Sequence, residues 1–455
     1  MLLHCQIHHN SDVHHPMPRP WSIDLRGERP RLTHANQTIK FISKDGSEEQ
    51  LHDFCSRIIP PCNLNSALFN GHAQTAWTVV SPEGPAIYYK RRTFAAEDLT
   101  YQGHFAVDFV SCPPGLLRRF EDNDITEDPT RVGHTYLPPR TTYLTQHAFN
   151  ALKSQDDKPV VIVLHGLSGG SYEAYVRYAL APLVVTTGES KGISGGDWEA
   201  LVVNSRGCAG SRVTSRLLYH ARSTWDIRQV VKWARRTWSN RPLYAMGFSI
   251  GANILTNYIA EEGSNCILKA AVVVSNPWDL EACHQALQRS YLGMEVYSTT
   301  MGASMRSVFD THKDQILSQN QDIDAERIKS GKYLFEFDRD LQCPLWGFES
   351  HEAYYRQASS SNNIHAISIP LLALHAEDDP ITGIEAVPFE EFERNPFTTF
   401  CLTCQGGHLG WFEVGGGRWY ARATTAFLNG IQSSFDTWRE PEKDLARDSE
   451  VSLQQ

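Results

Sequence analysis

Leu243-Tyr244-Ala245-Met246-Gly247-Phe248-Ser249-Ile250-Gly251-Ala252-Asn253 is the stretch that decides the fold of this 455-residue chain. Its first four residues suit a strand buried on both faces, and a helical pattern starts at Ile250 and runs to Ala260. Between them, Gly247 to Gly251 fits G-x-S-x-G. The pattern is short enough to arise by chance. Its setting gives it meaning, because a sharp turn from strand to helix lifts a serine hydroxyl clear of the sheet edge. So tight a turn needs small residues on both sides of the serine, and Gly247 and Gly251 supply them. A serine hydroxyl is a weak nucleophile by itself, so a base and an orienting acid are expected elsewhere in the chain.

Working outward, similar apolar runs recur at Val160 to Leu164, Ala200 to Val203, Ala270 to Val274, Leu371 to Leu374 and Phe397 to Leu402. Helical patterns separate most of them; Trp225, Gln229, Val230, Trp233 and Trp238 fall near one face of such a helix. Strands alternating with helices predict an α/β fold, a mostly parallel sheet with helices on both faces. Upstream, Ala86 to Phe94 and His104 to Val110 predict a hairpin, and Glu121 to Arg140 reads as a surface loop. The rhythm breaks between Pro277 and Ile369, where the pattern is helical and no buried strand is evident. We expect an insertion at about 281–363 that forms a lid, with Trp346 and Phe348 on the wall of an acyl pocket. The expected divisions are a partly ordered extension over 1–75, the catalytic domain over 76–436, and a disordered tail over 437–455.

The base candidate is His408, in Gly406-Gly407-His408-Leu409-Gly410 after the last apolar run. Glycines around a histidine at a strand end let the imidazole reach across the carboxyl edge of a sheet. The acid comes from His375-Ala376-Glu377-Asp378-Asp379-Pro380-Ile381, after the strand Leu371 to Leu374. Asp379 is preferred, since Asp379-Pro380-Ile381-Thr382 resembles the common acid loop in which the residue after the acid begins the turn, and Asp378 is its rival. A carboxylate there holds the imidazole tautomer and stabilises the imidazolium. The chain order Ser249, Asp379, His408 is that of α/β-hydrolases, distinct from the two other serine-triad orders. Two oxyanion donors are expected, the backbone N–H of Ile250 and that of Leu167 in His165-Gly166-Leu167-Ser168-Gly169-Gly170-Ser171. The alternative for this glycine loop, a phosphate cradle, lacks the G-K-[ST] ending.

Composition narrows the classes further. Asp plus Glu number 52 against 42 for Lys plus Arg, a formal charge of −10 that does not suit a nucleic-acid binder. No apolar run reaches the length of a membrane span, and the His-rich N-terminus is unlike a signal peptide. The ten cysteines are dispersed, as in a cytoplasmic protein with reduced thiols, and none makes a zinc-ligand pattern with a partner pair. Cys208, in a glycine-containing turn, reads as structural, and so do Cys401 and Cys404. His72 reads as a turn-capping residue, not a second base.

Beyond the residues already quoted, Asn204-Ser205-Arg206-Gly207-Cys208-Ala209-Gly210-Ser211, Ser275-Asn276-Pro277-Trp278-Asp279-Leu280, Asn70-Gly71-His72-Ala73-Gln74-Thr75 and Ile87-Tyr88-Tyr89-Lys90-Arg91-Arg92 carry a resemblance. As a set, from about residue 65 to 435, they resemble one α/β-hydrolase subfamily. It contains medium-chain fatty-acid ethyl ester synthase/esterases and abhydrolase-domain lipases of monoacylglycerols and phospholipids. The resemblance implies a serine esterase or lipase that hydrolyses acyl esters of lipid-like alcohols through an acyl-enzyme on Ser249, without cofactor or metal. It also implies a small-molecule ester or acyl-CoA substrate, and contact with lipid-droplet or ER surfaces. An acyl-CoA:alcohol acyltransferase would use the same machinery. An inactive lipid-binding scaffold would have no reason to keep all three triad residues.

Overall fold

The computed structural model describes residues 27–441 except 82, 114–136, 185–195 and 321. The surface loop expected over Glu121 to Arg140 thus lies mostly outside the described residues, as does the tail from 442. Thirteen strands are present among them: β1 (Arg31–His34), β2 (Lys40–Ser43), β3 (Glu48–Gln50), β4 (Tyr88–Ala95), β5 (His104–Ser111), β6 (Thr141–Tyr143), β7 (Val160–Leu164), β8 (Glu199–Asn204), β9 (Leu243–Phe248), β10 (Ala270–Val274), β11 (Leu371–Ala376), β12 (Thr398–Thr403) and β13 (Phe435–Arg439). Ten of them form one sheet in the order β1-β12-β11-β10-β9-β7-β8-β5-β4-β6. The six from β12 to β8 are parallel, and every residue of β7 to β12 is buried. Burial on both faces explains their continuous apolar runs. The expected hairpin is β4–β5, paired antiparallel from Tyr88↔Ser111 to Ala95↔His104.

β7 lies between β8 and β9, so successive crossovers leave it in opposite directions. With right-handed connections, the helix 174–184 after β7 covers one face and the helices 224–237 and 250–262 cover the other. The loops after β7 and β9 splay apart at that reversal, which is where open α/β sheets bind ligands. Ser249 follows β9 at this point.

Both chain ends depart from expectation. The segment treated as an extension supplies β1 to the main sheet, against β12, and residues Phe41, Leu51, Phe54 and Cys55 to the core. The tail expected from 437 begins inside β13, which pairs with β2 in a separate three-stranded sheet. Phe41 stacks on Phe435 at 4.6 Å between ring centroids, fastening one end of the chain to the other. These strands are short and polar on their outer faces, so their sequence lacks the apolar signature of the central ones. The described residues of the insertion form helices joined by turns and no strand, from Leu280 to Ala366, with π-turns at Gly293–Ser298 and Asp338–Gln342. No helix among the described residues is long and apolar enough to cross a membrane.

Candidate active site

Ser249 occupies the turn between β9 and the helix 250–262 with φ 52° and ψ −124°, a backbone conformation that a non-glycine residue adopts only under constraint. Close packing supplies that constraint. A Cβ on Gly247 would stand 2.7 Å from the Ala252 Cα, and one on Gly251 would stand 2.3 Å from the His165 carbonyl oxygen. The two glycines are therefore required by their neighbours' backbone, as the tight turn implies.

The structure brings Ser249, His408 and Asp379 together from the ends of β9, β12 and β11. His408 Nε2 lies 2.9 Å from Ser249 Oγ, and His408 Nδ1 lies 2.9 Å from Asp379 Oδ2. Asp379 is 4% exposed. Its other oxygen, Oδ1, accepts the backbone N–H groups of Ile381 at 2.9 Å and Thr382 at 3.1 Å. Burial opposes its ionisation, but the His408 imidazole, His375 and the Ile381 N–H outweigh burial and hold the carboxyl well below the usual range. The rival Asp378 is placed differently. Its Oδ1 accepts the Gly407 N–H at 2.9 Å, its Oδ2 is buried without a partner, and burial raises its pKa. Asp378 thus braces the histidine loop and does not touch the imidazole ring.

Leu167 and Ile250 both line the cavity that contains Ser249, and neither backbone N–H is engaged by another group among the described residues. The Leu167 loop is built by polar groups beneath it. His165 Nδ1 donates to the Gly166 carbonyl at 2.7 Å, and its Nε2 accepts the Ser205 N–H at 3.0 Å; burial lowers its pKa to about 4, so it stays neutral. Arg91 grips Asp108 through two bonds of 2.6 and 2.7 Å, and the same carboxylate accepts from Ser171 and Asn204. All four are buried, and one-sided removal of such a pair costs about 3–5 kcal/mol. This network gives the Arg91, Ser171 and Asn204 motifs a common purpose.

Sequence reasoning missed the helix 71–80. Thr75 Oγ1 accepts the His408 N–H at 2.8 Å, and Gln74 Oε1 accepts the Phe412 N–H at 3.0 Å. A Cβ on Gly71 would come within 1.8 Å of the Asp378 carbonyl, so glycine is needed where this helix meets the acid loop. Asn70 caps it by accepting the Ala73 N–H. His72, expected to cap a turn, sits in this helix and meets Tyr297 Oη of the insertion at 2.6 Å. The signal was present in Asn70 to Thr75, but nothing local says what a polar helix will touch more than three hundred residues away.

The cavity over Ser249 is walled mainly by the insertion, through Leu280, Leu287, Met301, Met305, Leu334, Tyr354 and Tyr355. Trp346 and Phe348, expected on this wall, do not line it. Trp346 packs on His220 and Trp225 at 4.5 and 5.2 Å, and Phe348 packs on Tyr354 at 5.0 Å. Each stands one layer behind the cavity. An aromatic in an insertion announces burial, and the sequence does not say against what. Cys208 is buried with its thiol pushed up to about 12, consistent with an unreactive packing residue. Cys401 is buried in β12, whereas Cys404 is exposed beside Glu28.

Comparison with known proteins agrees with this fold. The model of a family described as alpha/beta hydrolase fold matches residues 159–413. The chain is 35% identical over 371 residues to a monoacylglycerol lipase of Saccharomyces cerevisiae, covering 80% of this chain and 79% of the relative. It is 27% identical over 449 residues to medium-chain fatty acid ethyl ester synthase/esterase 2 of the same yeast, covering 91% and 97%. Against phospholipase ABHD3 of Mus musculus the identity is 30% over 258 residues, covering 56% and 59%. These three relatives are named lipases or esterases, and by motif, topology and similarity the chain belongs to the α/β-hydrolase family.

Proposed function

We propose that this chain is a serine esterase that cleaves acyl esters of lipid-like alcohols, monoacylglycerols or medium-chain esters, through an acyl-enzyme. The observation that carries the reading is the relay of Ser249, His408 and Asp379 at the floor of an apolar cavity. His408 Nε2 takes the proton of Ser249 Oγ as the hydroxyl attacks the ester carbonyl. Asp379 keeps Nδ1 protonated and stabilises the imidazolium. The Leu167 and Ile250 N–H groups receive the developing oxyanion, and the alcohol leaves with the proton from His408. Water, activated by the same imidazole, then releases the acid. The apolar wall suits an alkyl chain, each buried methylene contributing about 0.8 kcal/mol.

A lipid surface is the expected meeting place with such substrates. Trp77, Val79 and Val80 on the helix 71–80 and Tyr291, Leu292 and Val296 on the insertion are exposed. The His72–Tyr297 contact joins these two segments beside the cavity-lining Met301. A product assay tests the central reading. A medium-chain glycerol monoester is given to the purified chain with and without added ethanol. Free acid in both samples is the expected result. Ethyl ester in place of acid would assign the chain to acyl transfer, the first half of the relative's name "synthase/esterase". Neither product would overturn both.

A further inference from the structure

The cavity above Ser249 is not uniformly apolar. The carboxyl of Asp338 and the carboxamide of Gln342 stand on its wall, 6% and 2% exposed. An alkyl chain has no use for either group, and polar groups taken from water cost free energy unless they are paired. Their pairing within the protein is incomplete. Gln342 Nε2 donates to the Tyr219 carbonyl at 3.0 Å, while its Oε1 is buried with no partner. Asp338 Oδ2 accepts the Tyr355 hydroxyl at 2.7 Å, and the carboxyl has no ion pair among the described residues. Around it are the Tyr354 and Tyr355 phenols and the Cys343 thiol, and burial pushes the Asp338 carboxyl up to about 7. Both residues belong to one π-turn, Asp338–Gln342, as its first and last members. Turns of this kind sacrifice regular hydrogen bonding and recur at functional sites.

We infer that Asp338 and Gln342 form a polar subsite that accepts a hydrogen bond from a hydroxyl group of the ester substrate, so that hydroxyl-bearing lipid esters are selected over plain alkyl esters. The inference rests on the esterase reading above and adds the feature of the substrate that the cavity recognises. A site built to bond a hydroxyl rejects the analogue without it strongly, because its own buried acceptors are then left unpaired. The hydroxyl has two sources, the alcohol part of the ester or the acyl chain, and their chemistry at the subsite is the same.

Three esters of one acyl length separate the outcomes: the ethyl ester, the glycerol monoester, and the ethyl ester of the hydroxylated acid. The full chain is assayed for kcat/KM on each, as wild type and as Gln342→Met and Asp338→Asn. Wild type should favour one hydroxyl-bearing ester over the plain ethyl ester by about tenfold or more, and the favoured one identifies the source. Assayed above about pH 7, where the Asp338 carboxyl is ionised and can only accept, either variant should bring that ratio toward one, since Met has no oxygen and Asn can present an amide donor in the carboxylate's place. A ratio is independent of how much of a variant folds. Equal wild-type values on all three esters, or an unchanged ratio in both variants, would overturn the subsite while leaving the esterase reading intact. No hydrolysis of any ester would overturn that reading, and the subsite with it.

Discussion

Strand β9 and the π-turn at Asp338–Gln342 each deliver a polar side chain to the same cavity, and they do so by opposite means. β9 is buried along its whole length between β7 and β10, so the backbone of Ser249 is fixed by hydrogen-bonded neighbours on both sides and by two obligatory glycine contacts. The π-turn lies in a helical insertion, with no sheet partner, and its polar groups are held through a few contacts. The reacting atom is thus placed by the most rigid part of the molecule. The groups that would read the substrate sit on a part that can be rebuilt without disturbing the sheet, a division that suits a family acting on varied esters.

The comparison breaks most sharply at Ser249. Ser249→Ala should lower kcat by about six orders of magnitude while the melting temperature stays close to wild type, as removing a nucleophile does in serine hydrolases. Near-normal turnover of a p-nitrophenyl ester would remove the nucleophile's role from this residue. Next comes the acid. Asp379→Asn should cost about four orders of magnitude through the wrong imidazole tautomer. Asp378→Asn, which loses only a brace on the Gly407 N–H, should cost far less, and parallel kinetics on the two variants reads the ranking.

In the insertion the effects are smaller and shift from rate to stability and selectivity. The Asp338 carboxyl is protonated up to about pH 7 in the folded chain, against its ordinary value of 3.8. Below pH 4 it is neutral in both folded and unfolded states. Between about 4 and 7 the folded state binds the extra proton, so stability falls as pH rises, and above about 7 the full cost of the buried charge is present. Asp338→Asn should therefore gain stability relative to wild type by about 2–4 kcal/mol between pH 5 and pH 8 in chemical denaturation. An equal difference at both pH values would refute the shift. The smallest changes sharpen the correction made to the pocket. Trp346→Ala should lower stability by up to about 3 kcal/mol with an unaltered acyl-length profile. Met305→Ala, on the wall itself, should move the preferred chain longer by one or two methylenes at about 0.8 kcal/mol each.

What was legible in the sequence follows the same division. β7 to β12 declared themselves because burial on both faces leaves a strand no room for polar residues, and Ser249, Asp379 and His408 declared themselves because a strand end must turn sharply to present them. β1, β2, β3 and β13 did not, since a strand of three to five residues at a sheet edge or in a small sheet, with polar outer positions, looks like a loop. The insertion was recognisable by its missing strands, yet Trp346 and Phe348 were put on the wrong side of it. Aspartate in Asp338-Arg339-Asp340 looks like surface charge, and only the wider pitch of a π-turn carries the first of the pair inward while Asp340 meets Arg339 and Arg327.

The helix 71–80 gives the site a history as well as a shape. The bond from His408 to Thr75 spans 333 positions of chain and that from Phe412 to Gln74 spans 338, whereas His408 to Ser249 spans 159. Closing loops of that size is paid for in chain entropy before any contact rewards it. The serine turn can form from a local strand and helix early in folding, but the imidazole is seated only when two segments 333 positions apart meet. Catalytic competence is therefore expected after local helix formation, and in refolding experiments ester hydrolysis should return more slowly than the helical circular-dichroism signal.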